Sequence, residues 1–592
     1  MSVAQSIPHL LSRLWLHIGQ RRRGQFGLLL ILMLLAAFAE IISIGAVIPF
    51  LSVLSAPERL FEHNSINFII IYMGLTEPKQ LVLPLAATFG VAALISGALR
   101  LILLWVTTRL SFATGADLSI NIYERTLHQN YSVHCERNSS ELISGISTKV
   151  NTVIYGTIFP ILTLISSSII LLAIIITLLR VDLFIALVSF CGFALIYSMI
   201  IALTHKQVLV DSQRVAFEST QIIKALQEGL GGIRDVLINR SQGAFCQIYR
   251  NADLPLRQAQ GNSLIIAQGP RYVMEALGIM LIASLAYSLS QHANGLEKAI
   301  PILGAMALGA QRLIPIVQQA YSSWSLINSS QSSLKDTLEL LDQHLPENAN
   351  HPITNPLPFE YKIELKKIDF RYNPIAPYVL QKLDLTFVKG TRVGLIGSTG
   401  SGKSTLLDIV MGLLEPTAGA LEVDGSPITL FNRNAWQAHI AHVPQEIFLF
   451  DGTIEENIAF GVPKDQIDSL RVRDAAVQAQ IAGNIQSWPN QYQTTVGERG
   501  IRLSGGQRQR VGIARALYKK ADVIIFDEAT SALDSETEQA VMQSIDALSH
   551  ELTLIIIAHR ISTLKNCTQI VELGDGGIKR IGNYQDLVKS AA

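Results

Sequence analysis

The stretch Gly397-Ser398-Thr399-Gly400-Ser401-Gly402-Lys403-Ser404-Thr405 decides the fold of the C-terminal part of this chain. It follows an apolar run at 393–396, typical of a strand, and precedes 406–414, typical of a helix. Two glycines, four spacers and Lys-Ser in that context form a phosphate-binding loop, whose backbone N–H groups surround a polyphosphate at a helix N-terminus. Lys403 would reach the β and γ phosphates, and the Ser404 hydroxyl would bind Mg²⁺. A glycine-rich turn without a ligand is the alternative, and the context argues against it.

Composition points to a membrane protein of several domains. The chain has 592 residues, of which 16% are charged, against roughly 25% in soluble domains. The formal net charge is zero, so no nucleic-acid partner is expected. The four cysteines lack the spacing of a metal site or a disulfide framework.

Six apolar segments are each long enough to cross a bilayer, which needs about twenty residues. We place them at 26–54, 81–106, 153–179, 183–203, 263–289 and 300–327. The cluster Arg21-Arg22-Arg23 and the basic residues of 107–152 and 204–262 put the N-terminus and both long connections in the cytoplasm. Apolar residues at helical spacing predict that these connections extend the spans as long helices.

The remaining segments complete the domain plan. Residues 1–25 carry apolar positions at helical spacing and predict an amphipathic helix at the membrane surface, with a solvent-facing linker as the alternative. Within the outer loop at 55–80, the apolar stretch 66–75 is too short to span and predicts a small external helix. The membrane domain is 26–327, a polar, proline-containing linker follows at 328–359, and 360–592 alternates strands and helices as an α/β nucleotide-binding domain does.

Two acidic residues follow a buried strand in this last domain. The apolar run at 523–526 ends in Asp527-Glu528. Beside a phosphate loop, Asp527 is placed to hold Mg²⁺, directly or through water, and Glu528 to orient and deprotonate an attacking water. A solvated acidic pair is the alternative, but it leaves the adjacent apolar run and loop unexplained.

Between the loop and these acids lies Leu503-Ser504-Gly505-Gly506-Gln507-Arg508-Gln509-Arg510, on which the chain resembles the ATP-binding cassette (ABC) superfamily. Other elements resemble that family in the expected order: the aromatic Tyr372, Gln445 of Val443-Pro444-Gln445, the segment at 495–500, the D-loop Ser531-Ala532-Leu533-Asp534, and the switch histidine His559. Six spans followed by one cassette resemble the half-transporter plan of ABC exporters. The implied fold class is a polytopic α-helical membrane domain plus an α/β P-loop NTPase domain of ABC type.

The resemblance implies ATP and Mg²⁺ at this site. Tyr372 would stack on adenine, Gln445 would contact Mg²⁺ or the attacking water, and His559 would bind the γ phosphate and help to position Glu528. It also assigns Asp534 to the nucleotide site, and it directs Ser504, Gly505, Gly506 and Gln507 to the ATP bound by a partner. One cassette is then incomplete, so we expect a homodimer or a pair with a related half-transporter that closes on ATP and reopens on hydrolysis.

Two cytoplasmic stretches occupy the positions where exporters place coupling helices. They are 131–142 and 228–234, midway along the two long connections. Plain turns between long helices are the alternative, and placement favours coupling.

Ionisable residues inside spans are costly and often functional. Arg271 and Glu275 lie four residues apart and could neutralise one another, whereas Glu40 and Arg100 could pair structurally or line the pathway. Arg312 has no acidic residue within a helical turn, so in a dimer two such cations could face an anionic head group.

The first span, the outer helix and the last span resemble those of flippases of lipid-linked oligosaccharides. The resemblance implies an ATP-driven exporter of an amphipathic anionic lipid-linked glycan, integral to a bacterial inner membrane with its cassette in the cytoplasm. An exporter of another lipid, a peptide or a hydrophobic small molecule is the alternative. A soluble cassette ATPase acting on DNA or ribosomes conflicts with six spans.

Overall fold

The computed structural model of the protein describes residues 6–55, 58, 61, 76–181, 183–290, 313–346, 357–528, 535–546, 552–558 and 564–585. The chain divides into two compact units. We call Met1–Gln129 with Glu136–Glu347 the membrane unit, and Asn130–Cys135 with Asn348–Ala592 the cassette unit. A helical domain followed by an α/β domain confirms the predicted fold class.

Long helices in the membrane unit continue beyond the apolar runs that begin them. Two of them, Val82–Leu127 and Leu183–Gly231, have 46 and 49 residues. At 1.5 Å per residue each is about 70 Å long, roughly twice the bilayer hydrocarbon thickness. The predicted helical extensions are therefore confirmed. In order, the helices are α1 (Ile7–His17), α2 (Gln20–Ser55), α3 (Val82–Leu127), α4 (Tyr131–Glu136), α5 (Ser139–Ser144), α6 (Val150–Val153), α7 (Phe159–Val181), α8 (Leu183–Gly231), α9 (Ile233–Ile238), α10 (Gln242–Gln268), α11 (Pro270–Ser290), α12 (313–329) and α13 (Gln331–Leu341).

Three stretches of the described residues are long and apolar enough to cross a membrane. They are Gln20–Ser43, Pro78–Leu127 and Ser139–Ile176, and they overlap the first three predicted spans. The count of six stays a prediction, since 300–312 of the last span lie outside the described residues. The external helix predicted at 66–75 also lies outside them.

The predicted linker at 328–359 begins with a helix, α13, which the polar composition of this segment did not suggest. Leu334, Leu338 and Leu341 recur at helical spacing and are buried, which explains why α13 forms here. They pack against Leu10 and Leu14 of α1, which is helical as predicted. This part of the apolar face of α1 therefore contacts protein.

Two sheets build the cassette unit. The strands are β1 (Lys362–Phe370), β2 (Leu380–Val388), β3 (Arg392–Gly397), β4 (Ala418–Val423), β5 (Ser426–Pro427), β6 (Ile440–Val443), β7 (Val523–Asp527), β8 (Thr553–Ile557), β9 (Gln569–Gly574) and β10 (Gly577–Gly582). An antiparallel sheet has the order β2-β1-β4-β5, and a mainly parallel sheet has the order β10-β9-β3-β8-β7-β6. The helices are α14 (Lys403–Val410), α15 (Arg433–Gln437), α16 (Ile454–Ile458), α17 (Ser469–Gln478), α18 (Ala482–Ser487), α19 (Gly505–Lys519) and α20 (Ser535–Asp546).

The parallel strands explain where the chemistry lies. β3, β8 and β7 are adjacent and parallel, β8 and β7 are almost fully buried, and the carboxyl ends of such strands meet at one edge. The phosphate loop follows β3, and the acidic pair ends β7. The helix predicted at 406–414 begins earlier, at Lys403, and ends at Val410, because Gly412 adopts φ 65° and turns the chain.

Candidate nucleotide-binding and hydrolysis site

The loop between β3 and α14 depends on glycine at two positions. Gly397 has φ 149°, and a Cβ there would lie 2.4 Å from the carbonyl oxygen of Leu573. Gly402 has φ 91°, and its Cβ would lie 2.8 Å from a methyl carbon of Leu380. Any larger residue would displace the loop, so the glycines allow the chain to wrap a ligand closely.

Polar groups of the loop suit a polyphosphate. The Lys403 ammonium donates to the carbonyl oxygens of Gly397 and Ser398, both at 2.9 Å, so this cation lies over the loop. The Ser401 hydroxyl is buried and has no hydrogen-bond partner among the described residues. A phosphate oxygen would offer such a partner, since a buried unpaired hydroxyl costs free energy. Ser404 follows on the first turn of α14, as predicted for a Mg²⁺ ligand.

Tyr372 lies beside the loop with half of its surface open. Its ring packs edge-on against Phe370 at a centroid distance of 5.0 Å, and its hydroxyl lies 3.0 Å from that of Thr405. The side chain is otherwise free to stack, since the residue is 49% exposed. An adenine ring can therefore approach its open surface.

The acidic pair and Gln445 meet at the ends of two neighbouring strands. β6 pairs in parallel with β7, which brings Gln445, after β6, next to Glu528, after β7. The Gln445 amide donates to the Glu528 carboxylate at 2.7 Å. The structure thus brings together the predicted general base and the residue predicted to contact Mg²⁺ or the attacking water.

Asp527 and a second carboxylate, Asp408 of α14, lie in an acidic environment. Burial raises the pKa of Asp527, the Glu528 charge raises it further, and Lys403 opposes the rise. Burial and the Asp527 charge raise the pKa of Asp408 to about 6. Asp408 belongs to no recognised motif, although an acid inside the apolar run Leu406-Leu407-Asp408-Ile409 was a signal.

This donor set fits Mg²⁺. No three His, Cys, Asp or Glu side chains cluster as a complete metal cage in the part of the chain that the structure describes. Mg²⁺ needs no such cage, because it commonly takes one or two protein oxygens with water and phosphate oxygens. Ser404, Asp527 and Gln445 would hold it, and the carboxylate repulsion at Asp527 would be relieved by a cation.

The signature begins a helix, and its Ser504 caps that helix. Ser504 accepts a hydrogen bond from the Gln507 N–H at 3.2 Å, and Gln507 accepts one from the Ser504 N–H at 2.9 Å. This capping box occupies the Gln507 side chain, whereas Gly505 and Gly506 leave the helix N-terminus open to an anion. The predicted site residues Asp534 and His559 lie outside the described residues.

One predicted coupling stretch begins within the cassette unit. Asn130–Cys135 belongs to the cassette unit, and Arg433 donates to the Asn130 side chain at 2.8 Å. Burial and the Asp408 charge raise the pKa of Tyr131 to about 12, so Tyr131 lies near α14 of the phosphate loop. The predicted helix at 131–142 is two helices, α4 and α5, separated by a break before the Asn138 cap.

The intramembrane charges of the described residues are paired. Glu40 is fully buried, contacts Arg100 at 2.6 Å and accepts from the Ser96 hydroxyl at 2.6 Å. Arg271 contacts Glu275 at 2.7 Å, as their spacing predicted. Arg312 lies outside the described residues.

A cavity of about 380 Å³ in the membrane unit carries one of these arginines. Its lining comes from α7, from the junction of α10 and α11, and from α12. The lining includes Gln268, Arg271, Gln318, Gln319, Ser322 and Ser323. An apolar side is supplied by Phe159, Pro160 and Leu326. The cavity can therefore accept a ligand with polar and apolar parts.

Comparisons with known proteins agree with both units. A family model described as the ABC transporter transmembrane region matches residues 26–295, and one described as ABC transporter matches residues 380–531. An ATP-dependent lipid A-core flippase of Saccharophagus degradans is 40% identical over 45% of this chain and 44% of that protein, so the match spans less than half of that relative's length. One of the same name from Cupriavidus metallidurans is 27% identical over 84% of this chain and 83% of that protein.

A solved structure shares the fold along nearly the whole chain. It is described as a bacterial Atm1-family ABC exporter with ATP bound, and it aligns with a TM-score of 0.77 over 96% of each chain. The sequence identity is 23%, so the likeness concerns the fold.

Proposed function

Because the chain belongs to the ABC transporter family, with that family's transmembrane region at 26–295 and its nucleotide domain at 380–531, we propose that it is an ATPase coupled to transport. Its cargo in this proposal is an amphipathic anionic lipid, a lipid-linked oligosaccharide, moved from the cytoplasmic side of a bacterial inner membrane. The observation that carries the ATPase is the 2.7 Å hydrogen bond between Gln445 and Glu528 beside the phosphate loop.

The chemistry follows from the positions of five side chains. Lys403 binds the β and γ phosphates, and Ser404 and Asp527 would hold Mg²⁺, which would neutralise phosphate charge. Gln445 orients a water molecule, and the Glu528 carboxylate accepts its proton as the oxygen attacks the γ phosphorus. The bond from that phosphorus to the bridging oxygen breaks, and the oxygen leaves on ADP as inorganic phosphate is released.

A dimer is supported by surfaces that one chain leaves open. The signature residue Ser504 is exposed, and in this family it completes the partner's site. On the second predicted coupling stretch and α9, Leu230, Ile233, Leu237 and Ile238 are 67%, 46%, 56% and 68% exposed. Since 204–262 is assigned to the cytoplasm, lipid does not cover these apolar side chains, and a second copy would.

The cargo proposal rests on the cavity beside Arg271. An exposed guanidinium suits a phosphate or pyrophosphate, the glutamines and serines suit polar groups, and the apolar side suits a lipid chain. The relatives' printed name, lipid A-core flippase, concerns a glycolipid, which favours this class over a peptide. An exporter of another lipid, a peptide or a hydrophobic small molecule is the second candidate.

The test is cargo-stimulated ATP hydrolysis in proteoliposomes. A lipid-linked oligosaccharide carrying a pyrophosphate should stimulate hydrolysis, whereas an apolar peptide and the same lipid without phosphate should not. Equal stimulation by all three would favour the second candidate. Glu528→Gln protein is the control for contaminating ATPase.

A further inference from the structure

A second groove, of about 720 Å³, lies between α2 and α3, apart from the cavity at Arg271. Its apolar lining includes Leu28, Leu32 and Trp105, and its polar lining includes Arg22 and Arg109. Leu28 and Trp105 are 69% and 62% exposed. Because these residues belong to or adjoin apolar spans, such surface is compatible with contact to lipid chains.

The two arginines lie at the same end of the two spans, with Arg109 about two helical turns nearer the membrane centre than Arg22. Arg22 contacts Asp117 of α3 at 2.7 Å, so the beginning of α2 lies beside the later part of α3. Phe50 stacks on Phe89 at 5.4 Å, so the end of α2 lies beside the beginning of α3. The helices are therefore antiparallel, and the groove is at the end that the basic residues assign to the cytoplasm.

The two arginines differ in whether a carboxylate pairs with them. Arg22 is engaged by both oxygens of Asp117, at 2.7 and 3.3 Å, and by Gln25 at 3.0 Å. Arg109 is exposed, and within the described residues no carboxylate lies at ion-pair distance from it. An exposed guanidinium beside an apolar groove at the level of lipid head groups suits an external phosphate.

Aromatic residues lie at this end of the two spans. Trp105 precedes Arg109 by one helical turn, and Trp15 of α1 packs against Phe26 at 5.9 Å and lies under the Arg23 guanidinium at 5.5 Å. Tryptophan is enriched where hydrocarbon meets head groups. The groove therefore extends from the head-group level into the hydrocarbon.

We propose that this groove binds an anionic phospholipid of the cytoplasmic leaflet. Arg109 binds the lipid phosphate, and an acyl chain lies along Leu28, Leu32 and Trp105. The site holds a membrane lipid rather than cargo, and it does not depend on which cargo the cavity at Arg271 accepts.

Trp105 is a reporter inside the site. The full-length protein is placed in phosphatidylcholine vesicles that contain a small fraction of brominated phosphatidylglycerol or brominated phosphatidylcholine. The Trp105 signal is the difference in fluorescence between the wild type and Trp105→Phe. Brominated phosphatidylglycerol should quench it at about fivefold lower mole fraction, which is the preference expected from one arginine near an anionic lipid.

Arg109→Gln should remove the preference, whereas Arg250→Gln, which removes an exposed arginine of α10, should keep it. Equal quenching by both lipids in the wild type would overturn the proposal, and so would a preference that survives Arg109→Gln. Quenching by neither lipid would mean that a second copy covers the groove, which also overturns it.

Discussion

Glu528 has φ 51°, in the left-handed backbone region, and its N–H donates to the carbonyl oxygen of Ile557 at 3.1 Å. A non-glycine residue in this region is uncommon and costs about 1–3 kcal/mol, so the surrounding structure must hold it there. This backbone conformation directs the Glu528 carboxylate to Gln445 at the strand ends.

Replacing this carboxylate should separate binding from hydrolysis. In Glu528→Gln, ATP binding should persist, because Lys403 and the loop are untouched, whereas turnover should fall by about 10²–10⁴-fold with the loss of the base. Nucleotide binding and phosphate release measured on the same preparation check this. Glu415→Gln, at an exposed glutamate after α14, is the matched control and should hydrolyse normally. Steady hydrolysis by Glu528→Gln would show that another group is the base.

The raised pKa of Asp408 predicts a pH-dependent stability. Its folded pKa, about 6, exceeds the ordinary 3.8, so the folded state binds the proton more tightly than the unfolded state. Stability from this group is fully present below about pH 4 and is lost as the pH rises to about 6. Asp408→Asn should therefore stabilise the nucleotide-free cassette at pH 7.5 by about 1–2 kcal/mol, below the full shift because the side chain is partly exposed.

Unfolding in detergent at two pH values checks this. The midpoint of the cassette transition should rise for Asp408→Asn at pH 7.5 and change little at pH 4. A lower midpoint at pH 7.5, or the same gain at both values, would contradict the assigned cause.

At the scale of elements, a glycine lets the helical segment before α7 approach the end of α12. The Ser330 hydroxyl donates to the Gly156 carbonyl oxygen at 2.9 Å, and the Thr157 and Ser330 hydroxyls are 2.7 Å apart. A Cβ on Gly156 would lie 2.6 Å from Cβ of Ser330. The close approach therefore requires glycine.

Gly156→Ala should lower stability by about 1–3 kcal/mol through overpacking. Gly97→Ala in α3, where a Cβ meets nothing within 4 Å, is the control and should be neutral or stabilising. The thermal unfolding midpoints of both variants in detergent provide the comparison. An unchanged midpoint for Gly156→Ala would mean that α12 shifts without cost.

How far the sequence predicts an element depends on the kind of signal it leaves. Apolar periodicity predicted the long helices, and glycine, lysine and acidic spacing predicted the loop and the strand ends. The π-helical turns at Gly145–Lys149 and Ile154–Ile158 leave no such signal, because only the backbone hydrogen-bond register changes there. The leucine spacing of α13 was present in the sequence but was outweighed by its polar neighbours.

For the whole molecule, the exposed apolar residues around α9 predict contact with a second copy. Ile233→Asp should reduce cargo-stimulated ATP hydrolysis at least about fivefold by placing a charge in that interface, while ATP binding persists. Ile581→Asp, in β10 of the cassette unit and 52% exposed, is the matched control. Normal stimulation in Ile233→Asp would remove this surface from the interface.

Sites built from distant parts of the chain were the least predictable. The cavity combines Phe159, Arg271 and Gln318. Its glutamines and prolines belong to no recognisable sequence motif. Arg271 was selected from the sequence only because a charge inside a span is costly. The nucleotide site was predictable because its residues keep fixed spacings within short segments.

ATP-dependent movement of a lipid-linked oligosaccharide across proteoliposome membranes is the most direct test of the proposed transport. With cassettes facing outward and ATP outside, the wild type should move the outer-leaflet glycan to the interior, where it is protected from an added glycosidase. Glu528→Gln should give no protection above protein-free vesicles. Protection that is independent of ATP, equal in Glu528→Gln, or absent while a peptide is transported would contradict it.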